Sequence, residues 1–195
     1  MPSIPAPPRK LKNTQRRTRE HLTETEVNTL VAAAKQIGRH QHRDATLILV
    51  AYRHGLRISE LLSLRWSQVD LTQEILHVAR RKQGMHSTHP LYGVEIRALR
   101  RLRREHPHSQ FVFVSERKAP LTEWTFRKIL VRAGEKAKIG MPIHPHMLRH
   151  ATGFKLANEG RDTRTIQHYL GHKNIQHTVR YTHLSQRCFE GFWRD

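Results

Sequence analysis

The chain has 195 residues, with 35 Lys and Arg against 16 Asp and Glu, a formal charge of +19. That length supports one domain with a real hydrophobic core and a small appendage, and cations spread along the whole chain point to a folded body that meets a polyanion, most simply nucleic acid. The single cysteine, Cys188, excludes an intramolecular disulfide and fits a reducing cytosol; the lack of an apolar run of ~20 residues argues against a membrane span, and the proline-rich, basic N-terminus lacks the apolar core of a secretory signal.

Residues 1–20 hold Pro2, Pro5, Pro7 and Pro8 and then a basic run, which reads as a flexible arm. Thr23 followed by Glu26 is a capping box and predicts a helix through Val27, Leu30 and Val31. A second helix is apolar through Leu47, Ile48, Leu49, Val50 and Tyr52 and stops near Gly55; a third begins near Ile58 and carries Leu61, Leu62 and Leu64. After Asp70 the period changes to that of a strand through Ile75 and Val78, with a returning strand over residues 85–91, so that Lys82 stands at or beside a hairpin tip. Residues 91–105 form a very basic helix, and Phe111, Val112, Phe113 and Val114 read as a short apolar strand. Thr122 caps a helix with Phe126, Ile129, Leu130 and Ala133 inward and Arg127, Lys128 and Arg132 outward.

The stretch 144–181 breaks into three short helices. Pro145 suits the first turn of one that runs through His146, Arg149 and His150 and stops at Gly160. Asp162 caps the next, which ends at Gly171, and Asn174 caps a third that carries Tyr181. Each joint leaves a polar residue at a helix end: His146 with Arg149, then His172, then Tyr181. An anionic group between them meets a guanidinium, imidazoles and a phenol. Phe189, Phe192 and Trp193 recur at helical spacing in the tail.

Several chemistries are excluded. No G-x-x-x-x-G-K-[ST] is present, so there is no P-loop. No carboxylate cluster stands ready for a two-metal nuclease, and no Cys-x-x-Cys for thiolate zinc. A histidine-only zinc site is conceivable at His146 with His150 or His168 with His172, but no third ligand stands nearby in sequence. The expectation is no metal and no cofactor.

Arg57-Ile-Ser-Glu-Leu61, Lys82-x-Gly84, His146-Met-Leu-Arg149-His150, Leu170-Gly-His172 and Tyr181 occur in this order. In that order and approximate spacing the chain resembles the catalytic domain of tyrosine recombinases, the phage-integrase family. The phrases AYRHGLRISELL, HPHMLRHA and YLGHKNIQHTVRYT are most similar to the short fimbrial phase-variation members. The resemblance implies an α+β fold, mainly helical with a small antiparallel sheet of about three strands, over residues 21–183, between the arm at 1–20 and a tail at 184–195. The longer integrases carry an N-terminal core-binding domain where this chain has only the arm.

The resemblance further implies a site-specific recombinase that cuts and rejoins DNA through a 3′-phosphotyrosine, with no ATP. Arg57 and Arg149 clamp the scissile phosphate; Tyr181 is the nucleophile; Lys82 protonates the leaving 5′-oxygen; His146 and His172 complete the set. Guanidinium forks suit the first role because they form paired, charge-assisted bonds to two phosphate oxygens. His150 is expected to brace its helix, and Glu60 to pair with a basic neighbour and position Arg57. Arg80, Arg81, Arg97, Arg100, Arg101, Arg127, Lys128 and Arg132 are expected to contact DNA phosphates. A homotetramer on paired recombination sites and a bacterial cytoplasmic, nucleoid-associated setting follow from the same likeness. Two other readings stay open: a catalytically silent DNA-binding regulator of the same fold, and a type IB topoisomerase-like enzyme. The account requires an accessible hydroxyl at 181 and side chains at 57 and 149 that face a shared anion pocket.

Overall fold

The computed structural model describes residues 19–80 and 85–183. The expected arm up to residue 18, the hairpin tip with Arg81 and Lys82, and the tail 184–195 lie outside the described residues.

Helix α1 is Glu24–Ala34, α2 Gln41–Arg53 and α3 Ile58–Leu62. Thr23 caps α1 in a reciprocal box with Glu26: the Glu26 N–H donates to the Thr23 hydroxyl at 3.2 Å and the Thr23 N–H to the Glu26 carboxylate at 2.9 Å. Helix α2 closes at Gly55, whose φ of +55° turns the chain sharply into α3. A Cβ at Gly55 would lie 2.5 Å from the Leu170 side chain, so close packing also requires glycine here.

The sheet is β1 Val69–Asp70, β2 Ile75–Val78 and β3 Ser87–Pro90, antiparallel in that order. The predicted hairpin is therefore present in β2 and β3. Its register sets Leu76 opposite His89 and Val78 opposite Ser87. The third strand is β1 and not residues 111–114. Those make only isolated bridges, Arg65 with Phe111 and Val114 with Pro120. Val112, Phe113 and Val114 are all buried; their apolarity serves the core rather than a ladder.

Helix α4 is Gly93–Glu105, α5 Glu123–Lys136, α6 Pro145–Asn158, α7 Thr163–Leu170 and α8 Gln176–His183. The caps fall where the sequence places them. Thr122 accepts from the Thr125 N–H, and Asp162 from the Thr165 N–H. Pro145 opens α6, and Gly171 ends α7 with φ +64°.

The main core joins α1 to α6 and the sheet through residues such as Leu30, Leu47, Ile48, Leu99, Leu102, Phe113, Phe126 and Leu148. A smaller cluster of Ala157, Ile166, Leu170 and Tyr181 joins α6, α7 and α8. Tyr181 belongs to the smaller cluster, and α6 contributes to both. Among the described residues, no helix is long and apolar enough to cross a membrane.

Candidate active site

The site is built on two sharp turns. One is the α2–α3 turn, residues 54–57; the other is the end of α7, residues 169–171. Arg149, on α6, is 4% exposed. Its Nη1 donates to the Gly55 carbonyl at 2.5 Å and its Nη2 to the Leu170 carbonyl at 2.6 Å. Arg57 donates through Nη2 to the next carbonyl, Gly171, at 3.3 Å. Two guanidiniums therefore converge on consecutive carbonyls of one helix C-terminus, where the backbone dipole carries partial negative charge.

Glu60 fixes Arg57 from the other side. Its carboxylate accepts from the Arg57 backbone N–H at 2.9 Å and from Arg57 Nη1 at 2.9 Å. The same carboxylate accepts from Arg80 Nη1 at 2.7 Å. Burial pulls the Glu60 proton affinity up, but Arg80 and Arg57 outweigh it and hold the carboxyl below the usual range. The expected pairing of Glu60 with a basic neighbour is present, with Arg80 and with Arg57 itself.

Arg80 departs from expectation. Its side chain is fully buried, its Nη2 donates to the Tyr169 carbonyl at 2.5 Å, and a Cβ on Gly171 would strike it at 2.6 Å. It is not at the surface at all; it is an internal strut between Glu60 and the end of α7. The misreading arose because a charge run next to a hairpin tip looks solvated, whereas its partner lies 20 residues away.

Burial pushes the Arg149 guanidinium down to about 9, with Arg57 and Arg80 adding to the effect. It remains protonated at neutral pH. The cation crowding is the property that suits the site to a phosphodiester, whose charge relieves it.

His172 follows Gly171 and is 8% exposed. Thr178 holds its Nδ1 at 2.8 Å. Burial first, then Arg149 and Arg57, push its imidazole down to about 3. His146 is exposed on α6; burial of part of its ring and the fields of Arg149, Arg127, Arg57 and Arg180 lower it as well. Arg57 and His172 line one cavity of about 720 Å³ together with Arg164, Gln167, Lys173 and His177. Sequence reasoning missed Arg164, Lys173 and His177. The available signal for Lys173 was its place directly after the Leu-Gly-His motif.

Tyr181 contradicts the requirement of an accessible hydroxyl at 181, and neither it nor Arg149 lines the cavity of Arg57 and His172. It is fully buried, with its ring edge-on to Phe154 at 5.2 Å and parallel to His172 at 6.3 Å between centroids. A Cβ on Gly153 would lie 2.7 Å from that ring, so the niche exists because residue 153 has no side chain. The hydroxyl is held by His150 Nδ1 at 2.9 Å and by Arg180 Nη2 at 3.1 Å, and Arg180 reaches the same His150 nitrogen at 2.7 Å. His150 is pushed down to about 3 by burial and by Arg180, so at neutral pH its Nδ1 is an uncharged acceptor. It holds the tyrosine of a neighbouring helix, and Arg180 was not anticipated.

The remaining cations expected to meet DNA divide by location. Arg97, Arg100 and Arg101 are exposed on α4, and Arg127, Lys128 and Arg132 on α5. None of them lines the cavity of Arg57 and His172. Arg127 acts on His146 electrostatically and belongs to that face. Lys128 sits 3.8 Å over the exposed Trp124 ring. Arg101 lines a separate basic cavity of about 590 Å³ with Lys35, Arg39 and Arg43. Among the described residues no three His, Cys, Asp or Glu side chains group as a metal site.

These buried imidazoles predict acid sensitivity. His89 and His172 have folded-state values of about 3 against ~6.5 unfolded. The unfolded chain therefore binds more protons between those values, and stability present above pH ~6.5 is lost as pH falls toward 3. Each imidazole costs about 2 kcal/mol by pH 5, together a large part of an ordinary domain's stability. Melting curves should show a fall of many degrees between pH 7.5 and pH 5; an unchanged midpoint would contradict the buried, neutral assignment.

The model of the phage integrase family matches residues 20–187. Over 180 residues the chain is 43% identical to the type 1 fimbriae regulatory protein FimB of Escherichia coli K12, covering 90% of each. It is 36% identical over 153 residues to the tyrosine recombinase XerC of Bacillus pumilus, which is 74% of this chain and 50% of that one. The structure of XerH site-specific recombinase bound to palindromic difH substrate, a post-cleavage complex, shares the fold with a TM-score of 0.76 at 22% identity, over 87% of this chain and 51% of that one. The chain thus spans nearly all of FimB and about half the length of XerC and XerH.

Proposed function

The chain belongs to the phage integrase family and is a tyrosine recombinase, an enzyme that cuts and rejoins DNA; on that premise we propose that Arg57 and Arg149 hold the scissile phosphodiester while Tyr181 attacks its phosphorus. The observation that carries this assignment is the convergence of both guanidiniums on the carbonyls of Leu170 and Gly171, beside His172. The fork of each arginine opposes the charge that grows on the phosphoryl oxygens in the transition state, where binding accelerates chemistry.

The Tyr181 oxygen forms the new bond to phosphorus and the bond to the 5′-oxygen breaks. This leaves a 3′-phosphotyrosine and a 5′-hydroxyl, and the ester retains the energy for rejoining. Lys82 gives its proton to the leaving oxygen. His172 accepts from the attacking phenol. A diester between the arginines offsets the cationic field that depresses His172 and raises its basicity at the moment it is needed. Attack requires Tyr181 to leave its niche, so DNA must separate it from His150 and Arg180.

Recombination of two sites requires four protomers, and DNA assembles the tetramer. Inversion of a DNA segment is the outcome that the fimbrial likeness favours, in the bacterial cytoplasm. The tail at 184–195 docks on a neighbouring protomer through Phe189, Phe192 and Trp193. A groove of about 710 Å³ sets Tyr52, Tyr92, Val94 and Leu156 among charged side chains such as Arg97 and Lys155 and is the candidate acceptor. Removing residues 185–195 is expected to spare DNA binding and abolish synapsis, read by gel shift of paired-site complexes; normal strand exchange by the truncated protein would remove this part. The activity itself is tested by incubating the protein with nicked duplexes of candidate sites. An adduct that survives SDS is expected, and its absence at a site the protein binds would overturn the assignment.

A further inference from the structure

Three titratable side chains are sealed beneath the sheet: Glu95 is 0% exposed, and His54 and His89 are each 1% exposed. None belongs to the reaction as described. His89 projects from the inner face of β3, opposite Leu76. Its Nδ1 meets His54 Nδ1 at 3.1 Å, and its Nε2 meets the Ser87 hydroxyl at 2.9 Å. His54 Nε2 donates to the Glu95 carboxylate at 2.8 Å. Burial pulls the Glu95 carboxyl up, but His54 and Arg53 outweigh it and keep it ionised. Burial keeps His89 uncharged, so one of its ring nitrogens donates and the other accepts. His89 thereby joins His54 through its Nδ1 to the Ser87 hydroxyl through its Nε2. The chain of contacts ends at the Glu95 carboxylate, which Arg53 also holds at 3.0 Å, so it conducts no proton to the site.

Its position in the fold is informative. His54 directly precedes Gly55, whose carbonyl holds Arg149, and lies three residues before Arg57. On its other side His89 stacks on Tyr169 at 3.9 Å between centroids. Tyr169 directly precedes Leu170 and Gly171, whose carbonyls hold Arg149 and Arg57. His89 therefore stands between the two turns that aim the guanidiniums. Burying three polar side chains adds little to stability over an apolar filling, so geometry is the better reason for them.

We propose that His89 is a positioning residue for the arginine pair: through His54 and Tyr169 it fixes the α2–α3 turn against the end of α7, and so sets the spacing of Arg57 and Arg149 on the phosphate. The inference rests on the reading of those arginines as the phosphate clamp. His89→Phe keeps an aromatic face for Tyr169 but removes both ring hydrogen bonds. The variant retains the Tyr169 hydroxyl bond to the Arg53 carbonyl, 2.7 Å, which helps it fold. His89→Asn places an amide near the position of Nδ1 and can still hydrogen-bond to His54.

The test is single-turnover cleavage at saturating protein, below the melting range of each variant, on two nicked duplexes: one with an ordinary scissile diester and one with a neutral methylphosphonate there. The wild type should cleave the charged diester much faster. His89→Phe should slow diester cleavage about 10²-fold, the scale of an ångström's misplacement, with DNA affinity unchanged. Its diester-to-methylphosphonate ratio should shrink toward that of Arg149→Lys, and His89→Asn should restore most of both. Glu95→Gln, which removes the charge at the end of this chain of contacts, should shrink the ratio in the same direction and serves if the Phe variant does not fold. A wild-type rate in His89→Phe, or a slower rate with an unchanged ratio, overturns the proposal. A wild-type ratio in Arg149→Lys shows instead that the clamp reading fails, and this inference with it.

Discussion

Replacing Tyr181 with phenylalanine is expected to leave a folded, DNA-binding protein that forms no covalent adduct. The ring fills the niche over Gly153 and packs on Phe154, and phenylalanine keeps both contacts. The hydroxyl lost is bonded to His150 and Arg180, which remain bonded to each other at 2.7 Å. Stability should therefore fall by only about 1 kcal/mol. Cleavage should fall to background, because the only atom that bonds to phosphorus is gone. The contrast between a small change in melting temperature and a total loss of adduct separates a nucleophile from a packing residue. A variant that still forms the adduct would move the nucleophile elsewhere.

Arg149→Lys carries the second large effect. Arginine spans the Gly55 and Leu170 carbonyls with one rigid fork. An ammonium keeps the charge but cannot span both carbonyls and a phosphate oxygen. One buried carbonyl left unpaired costs about 1–3 kcal/mol of stability. Loss of a preorganised donor at the developing charge costs about 10²–10³ in cleavage rate. Single-turnover cleavage should fall by that factor while DNA affinity, carried by many cations, changes little. A near-normal rate would place the phosphate away from Arg149.

Much of this architecture was legible in short stretches. Thr23 with Glu26, Thr122, Asp162, Pro145 and Gly171 each mark a helix end by a contact within a few residues, and each performs that role in the fold. The hairpin was legible from the change of period after Asp70. What remained hidden depends on distant partners. Arg80 is buried because Glu60 and the Tyr169 carbonyl await it across 20 and 89 residues. Tyr181 is sealed because residue 153 is glycine. His89 and His54 read as ordinary polar residues until the sheet register and the start of α4 bring Glu95 beside them. Residues 111–114 look like a strand because core packing and strand pairing select the same apolar residues.

The central claim is that one phenol, held in reserve beside two phosphate-gripping guanidiniums, becomes bonded to DNA. The chain has four tyrosines: Tyr52, Tyr92, Tyr169 and Tyr181. The most direct measurement is mass spectrometry of the trypsin-digested adduct, formed on a nicked duplex whose site has been selected from random DNA by binding. The account predicts a nucleotide joined through its 3′-phosphate to the peptide spanning residues 181–187. A nucleotide on the peptide of any other tyrosine, or on a serine or histidine, would contradict it.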